Sequence, residues 1–196
     1  MPAGKTHDRI TLWSLPGMVL LALFCTRNAT LTLIISAMYL FGGLMFGPDL
    51  DIYSLQYKRW GWLRWLWLPY QRSIRHRSRL SHGFLVGTCI RLTYFLSLCL
   101  LNGVVGVAIA QAIFGFDWNW QAVGQGILEL LREHSDRFFA LFVGLELGAM
   151  SHVVADRLDS RQKRLQRAQQ ARTKNHPSAL NPAQNPVQMR NSKFKP

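Results

Sequence analysis

Cysteine is scarce in this chain. There are three among 196 residues, Cys25, Cys89 and Cys99, and none is paired at zinc-finger spacing. That excludes a cysteine-built zinc site and a disulfide framework. All three fall in apolar segments, where they are expected to be small buried hydrophobes. Acids are also few, ten Asp and Glu against 23 Lys and Arg, for a net charge of +13. Charge is nearly missing from long stretches. Seven of the 23 basic residues lie in 48–83 and ten in 157–196, which leaves six for the rest. The hydrocarbon core of a membrane demands such charge-free stretches. Mean hydropathy is only +0.05 because the basic loop and tail lower it. No secretory signal is expected at the N-terminus. His7 and Asp8 precede the apolar run, and no small-residue cleavage site follows cleanly.

Four apolar segments remain. The first runs from Leu12 to Cys25 and contains Pro16 and Gly17, so a break or interfacial turn is expected there. Thr26-Arg27-Asn28 reads as a tight turn into the second segment, Ala29 to Phe46, which gives a helical hairpin. The third, Phe84 to Phe116, is one tilted helix or a helix broken near Gly103 and Gly106. Its single charge, Arg91, is expected to snorkel to the interface. The fourth runs from Phe138 to Ala155, with Gly144 and Gly148 at the spacing that lets helices approach.

The connection 48–83 interleaves Trp60, Trp62, Trp65 and Trp67 with Lys58, Arg59 and Arg64. This composition suits the headgroup layer. Beside apolar spans it does not point to nucleic acid, and no nucleic-acid partner is expected. Residues 117–137 carry four acids and two arginines, with Val123, Ile127, Leu130 and Leu131 at helical spacing. They read as an amphipathic helix on the membrane surface. The tail, 157–196, is basic and from Asn175 onward has a disordered composition.

The expected fold is all-α, a polytopic membrane bundle of about four transmembrane helices. A membrane domain fills 1–156 and a basic tail 157–196. The positive-inside rule puts loop 48–83 and the tail in the cytoplasm, hence both termini as well. The expected location is the bacterial inner membrane, multi-pass. Anionic lipid headgroups are the expected partners of loop 48–83 and the tail.

That threading brings four polar clusters to one face: His7-Asp8, Asp49-Leu50-Asp51, His76 with His82, and His152 with Asp156. Five of the ten acids and four of the six histidines lie in or near them. Imidazole and carboxylate together are the donors of a divalent-metal site. Asp49 and Asp51 flank one residue and can face an ion if the backbone turns. His152 and Asp156 share a helix face. The candidate ligands are therefore His7, Asp8, Asp49, Asp51, His76, His82, His152 and Asp156. Zinc, manganese and iron fit such a donor mixture. Glu146, about 9 Å from His152 along the helix axis, reads as a buried polar partner, and pairing with Arg91 is open to it. Arg72, Arg75, Arg77 and Arg79 are candidates to hold phosphate or a headgroup. His134 and His176 stand outside the set.

The order of these clusters resembles an uncharacterised family of bacterial membrane metal-binding proteins. The residues that carry the likeness are Gly4-Lys5-Thr6-His7-Asp8-Arg9-Ile10, Phe46-Gly47-Pro48-Asp49-Leu50-Asp51, His76-Arg77-Ser78 with Leu80-Ser81-His82-Gly83, and Gly144-Leu145-Glu146 with His152 and Asp156. The resemblance covers roughly residues 1–160 and implies metal binding. More distantly the pattern is similar to inner-membrane metal-dependent hydrolases. They carry a Pro-Asp-x-Asp segment, a His-Arg…His segment and a late His-x-x-x-Asp. Their two middle histidines sit closer together than His76 and His82 do.

Three functions follow. The first is metal-assisted hydrolysis of a phosphoester or lipid headgroup at the membrane face. The second is a non-catalytic, metal-stabilised scaffold or assembly factor. The third, ion transport, needs ligands near the bilayer midplane, and only Glu146 approaches that depth.

Overall fold

A computed structural model describes residues 4–175, with side chains from His7 to Ala171. Its described residues are helical and contain no strand. The chain divides into two compact units, Met1–Arg157 and Leu158–Pro196. In the second, the helix that enters it continues to Asn175 and carries an exposed Lys163–Asp159 ion pair at 2.7 Å. The disorder expected for the end of the tail, and His176, lie outside the described residues.

The first unit begins with a helical hairpin. Helix α1 (Gly4–Thr26) packs against α2 (Ala29–Leu44). Arg27 takes the left-handed conformation between them (φ 48°). Asn28 then caps α2, its side chain accepting from the Thr30 and Leu31 N–H groups. The expected break at Pro16-Gly17 does not occur, and Pro16 lies inside a continuous α1. A missing N–H costs one ladder bond.

Four helical segments are long and apolar enough to cross a membrane: His7–Thr26, Ala29–Asp51, Val86–Phe114 and Ser135–Ala171. The third is α6 (Val86–Phe114), unbroken at Gly103 and Gly106 and closed by Gly115 in the left-handed region (φ 63°). The three cysteines are exposed on the outer surface of these helices, not buried as expected. A helix that is apolar all round leaves part of its apolar surface uncovered, so apolar context alone does not predict burial. Helix α7 (Trp120–Glu133) forms with Asn119 as its cap, and none of its residues is buried.

The connection 48–83 folds into short pieces: a 3-10 turn (Pro48–Asp51), α3 (Leu55–Arg59), a 3-10 stretch (Gly61–Trp67), α4 (Leu68–Ser73) and α5 (Arg79–His82). It has its own core. Trp67 is fully buried and packs against Phe46 just after α2, Phe95 of α6, Trp60 and Tyr70. Of the four tryptophans in this connection, Trp62 and Trp65 are exposed, so they split between core and surface. Truncating a fully buried residue like Trp67 costs about 3–5 kcal/mol.

Helix α8 (Ser135–Asn175) meets α2 through glycine. A Cβ on Gly144 would stand 2.5 Å from the Ile35 carbonyl oxygen, and one on Gly148 would collide with the Tyr39 carbonyl. Gly42 answers them from α2, where a Cβ would be 2.6 Å from the Leu145 oxygen. This close approach sets the depth of His152 against the end of α2, where the aspartates begin.

Candidate metal centre

Helix α2 ends because Phe46 and Met45 both donate to the Phe41 carbonyl, and Pro48 has no N–H to continue the ladder. The next turn is 3-10, about three residues per turn. Asp49 and Asp51, two positions apart, therefore leave the turn in different directions while Leu50 is fully buried. They do not face one ion together, as the flanking pair suggested. Asp51 Oδ1 lies 2.8 Å from His76 Nδ1. Its other oxygen accepts from the Ser81 hydroxyl.

Ser81 fixes the protons of this group. Its single hydrogen goes to Asp51, so its oxygen accepts from His82 Nδ1 at 2.7 Å. The carboxylate only accepts, so His76 also carries its proton on Nδ1. With the proton on Nδ1, a neutral ring at either position presents a bare Nε2 lone pair. Each Nε2 is buried without a hydrogen-bond partner. Burial holds the His82 pKa below the usual imidazole range and outweighs Asp51 and Asp49, so the ring is neutral near pH 7. A neutral ring with one nitrogen anchored to oxygen is the arrangement of a metal-ligating histidine.

His7 enters from the start of α1, and His152 and Asp156 from α8. The His7 and His152 rings stack at 4.0 Å, and His7 Nε2 is 3.3 Å from Asp156 Oδ1. His7 Nδ1 and both ring nitrogens of His152 are buried without hydrogen-bond partners. His152 Nε2 is nonetheless 3.1 Å from Asp49 Oδ2. Asp49 Oδ1 is 3.8 Å from His82 Nε2.

Two sets of donors result, His7-His152-Asp156 and Asp49-His76-His82, each with its ligand atoms within 4.8 Å of one another. Two ligands about 2.1 Å from one tetrahedral ion stand about 3.4 Å apart, so the spacing suits a shared ion. A small cavity of about 20 Å³ lies against His7, Asp8, Asp49, Gln56 and His152, room for one ion or water. Buried bare nitrogens cost stability unless something binds them. The residues present therefore fit a divalent cation, and mixed nitrogen and oxygen donors suit zinc, manganese or iron.

The remaining candidates fall elsewhere. Asp8 lines the cavity, but its carboxylate is held by Arg59 at 2.5 and 3.0 Å. Arg59 also donates to the Leu44 carbonyl. Glu146 is buried, as a polar partner should be. It accepts from the Leu85 N–H at 2.9 Å and forms no ion pair with Arg91. Leu85 has φ 60° just before α6, so Glu146 serves the orphan N–H groups at that helix start. Arg91 does not snorkel. It is 1% exposed and donates to the Ser81 carbonyl at 2.8 Å and to Thr88 Oγ1 at 2.9 Å. Arg77 Nη2 stands 3.9 Å from Asp156 Oδ2, while Arg72, Arg75 and Arg79 are exposed. His134 ends α7. Sequence reasoning grouped Ser81 with His82 without a hydrogen-bonding role, and placed Arg59 in the headgroup layer and not against Asp8.

These features define an all-helical protein with grouped histidine and carboxylate donors at its helix ends. The family model for "Uncharacterized metal-binding protein (DUF2227)" matches residues 2–166, and the chain belongs to that family. An "Uncharacterized protein" of Aquifex aeolicus (strain VF5) is 39% identical over 57 residues. That stretch is 29% of this chain and 40% of the relative, so the chain spans about two-fifths of the relative's length. No solved structure matches.

Proposed function

We propose that this is a four-span protein of the bacterial inner membrane, with both termini in the cytoplasm and a divalent-metal centre at the cytoplasmic face. We read it as a hydrolase of phosphoesters or lipid headgroups. The observation that carries the reading is the set of buried, unpartnered imidazole nitrogens on His76, His82 and His152. They arrive from separate segments and face Asp49 or one another. When bound, a divalent ion supplies water activation and polarisation of a phosphoryl oxygen. Asp51 and Ser81 hold the rings of His76 and His82 in the ligating tautomer. Arg77, beside Asp156, is placed to orient an anionic substrate, with Arg72, Arg75 and Arg79 exposed in the same segment to attract one.

Elemental mass spectrometry on the detergent-purified protein tests the metal. Stoichiometric metal in the wild type, lost on Asp49→Ala and His82→Ala, is the expected result. Metal retained in both variants rejects the site. A phosphoesterase screen with the bound metal then tests the reaction.

A second reading is favoured by one feature. The centre joins the start of α1 to α8 and ties the turn at Pro48 to loop 76–82, so it also works as a staple. If metal loss lowers the melting temperature and no ester is cleaved, the protein is a metal-stabilised scaffold. Its basic loop and tail would then bind anionic lipid. Ion transport lacks support, because the grouped donors lie at helix ends and Glu146 is engaged at Leu85.

A further inference from the structure

The geometry points to two ions and not one: one held by His7, His152 and Asp156, the other by Asp49, His76 and His82, with the Asp49 carboxylate shared between them. This rests on the metal reading above and deepens it. Six donors exceed the four of a tetrahedral site, and they divide three and three. With Asp49 shared, the first ion has four protein ligands and the second has three, and three is the pattern of sites that keep a position open for water or substrate. Asp49 is the one residue that meets both sets. Its Oδ2 is 3.1 Å from His152 Nε2 and its Oδ1 is 3.8 Å from His82 Nε2. One oxygen per set is how a bridging carboxylate is disposed.

The two sites are not equivalent. In the Asp49 set the far nitrogens of both rings are anchored, His76 on Asp51 and His82 on Ser81. In the other set Nδ1 of His7 and Nδ1 of His152 are buried with no hydrogen-bond partner. Partners behind the ligands change metal affinity by about 10–100-fold. The Asp49–His76–His82 site therefore fills first and tightly. The His7–His152–Asp156 site fills second, and its ion joins α1 to α8.

The test is manganese(II) titration of the full chain in detergent, followed by electron paramagnetic resonance, with zinc(II) content measured in parallel. Two ions per chain are expected, bound in two phases about 10–100-fold apart, with a spin-coupled signal at saturation. His7→Ala should keep one ion, filled at the tight phase, and lose the coupling. Asp51→Asn leaves all six ligands in place and should weaken the tight phase alone. Size-exclusion elution unchanged from wild type shows that each variant has folded. One ion per chain in the wild type overturns the two-ion assignment and leaves the metal reading standing. No ion in the wild type, after reloading, overturns both. Two ions with an uncoupled signal overturn the shared Asp49, and a weakened second phase in Asp51→Asn overturns the order of filling.

Discussion

Arg91 Nη1 donates to the backbone carbonyl of Ser81 across 2.8 Å, from a side chain that is 1% exposed. A charge inside an apolar helix thus serves the loop that carries His82. Ser81 and Thr88 supply the hydrogen bonds that make burying this side chain tolerable. Arg91→Met should leave the Ser81 carbonyl unpaired, at a cost of about 1–3 kcal/mol. Arg91→Lys should not restore it fully, since an ammonium lacks the fork that reaches Ser81 and Thr88 together. Thermal melting of the two variants beside wild type checks this, and equal stability of all three would reject the role.

Ser81 hydrogen-bonds Asp51 and His82 with one hydroxyl. Ser81→Ala frees His82 Nδ1 and removes one of the two bonds that orient Asp51. Metal affinity should fall about 10–100-fold, the usual effect of losing a group behind a ligand. Ser81→Thr keeps the hydroxyl and should lose less. Competition with a chromogenic chelator measures both, and unchanged affinity in Ser81→Ala would count against the tautomer assignment.

Asp8 is ion-paired with Arg59, although it adjoins His7. Asp8→Asn should therefore keep its metal and lose stability of about 1–3 kcal/mol, as for a charged, partly buried hydrogen bond. Asp49→Asn should do the reverse in metal content. Metal analysis of the pair separates a ligand from a neighbour, and loss of metal in Asp8→Asn would return Asp8 to the ligand set.

Gly148 has no room for a side chain against Tyr39 of α2. Gly148→Val should push α8 from α2 and cost about 1–3 kcal/mol, the range for overpacking. His152 and Asp156 lie about one and two turns further along α8, so metal binding should weaken with stability. Gly103→Val is the control, since a Cβ there meets nothing within 4 Å. Comparable losses in both variants would show that the close approach does not position the site.

The residues themselves determined the helical class, the four apolar segments and the convergence of His7, Asp49, His76, His82, His152 and Asp156. Charge-free length and the recurrence of polar residues at segment ends are properties of a line, and they can be read along it. The tertiary structure alone decided which carboxylate serves which imidazole. Asp51 turned behind His76 because a 3-10 turn sends alternate residues in different directions. Asp8 was taken by Arg59, which arrives from 51 residues away in sequence. Arg91 was drawn inward by a carbonyl, and the cysteines were left on the outer face. Each of these outcomes depends on what stands opposite a side chain once the helices pack. Spacing along the chain does not carry that information, because hydrogen bonds and steric fit are settled between segments.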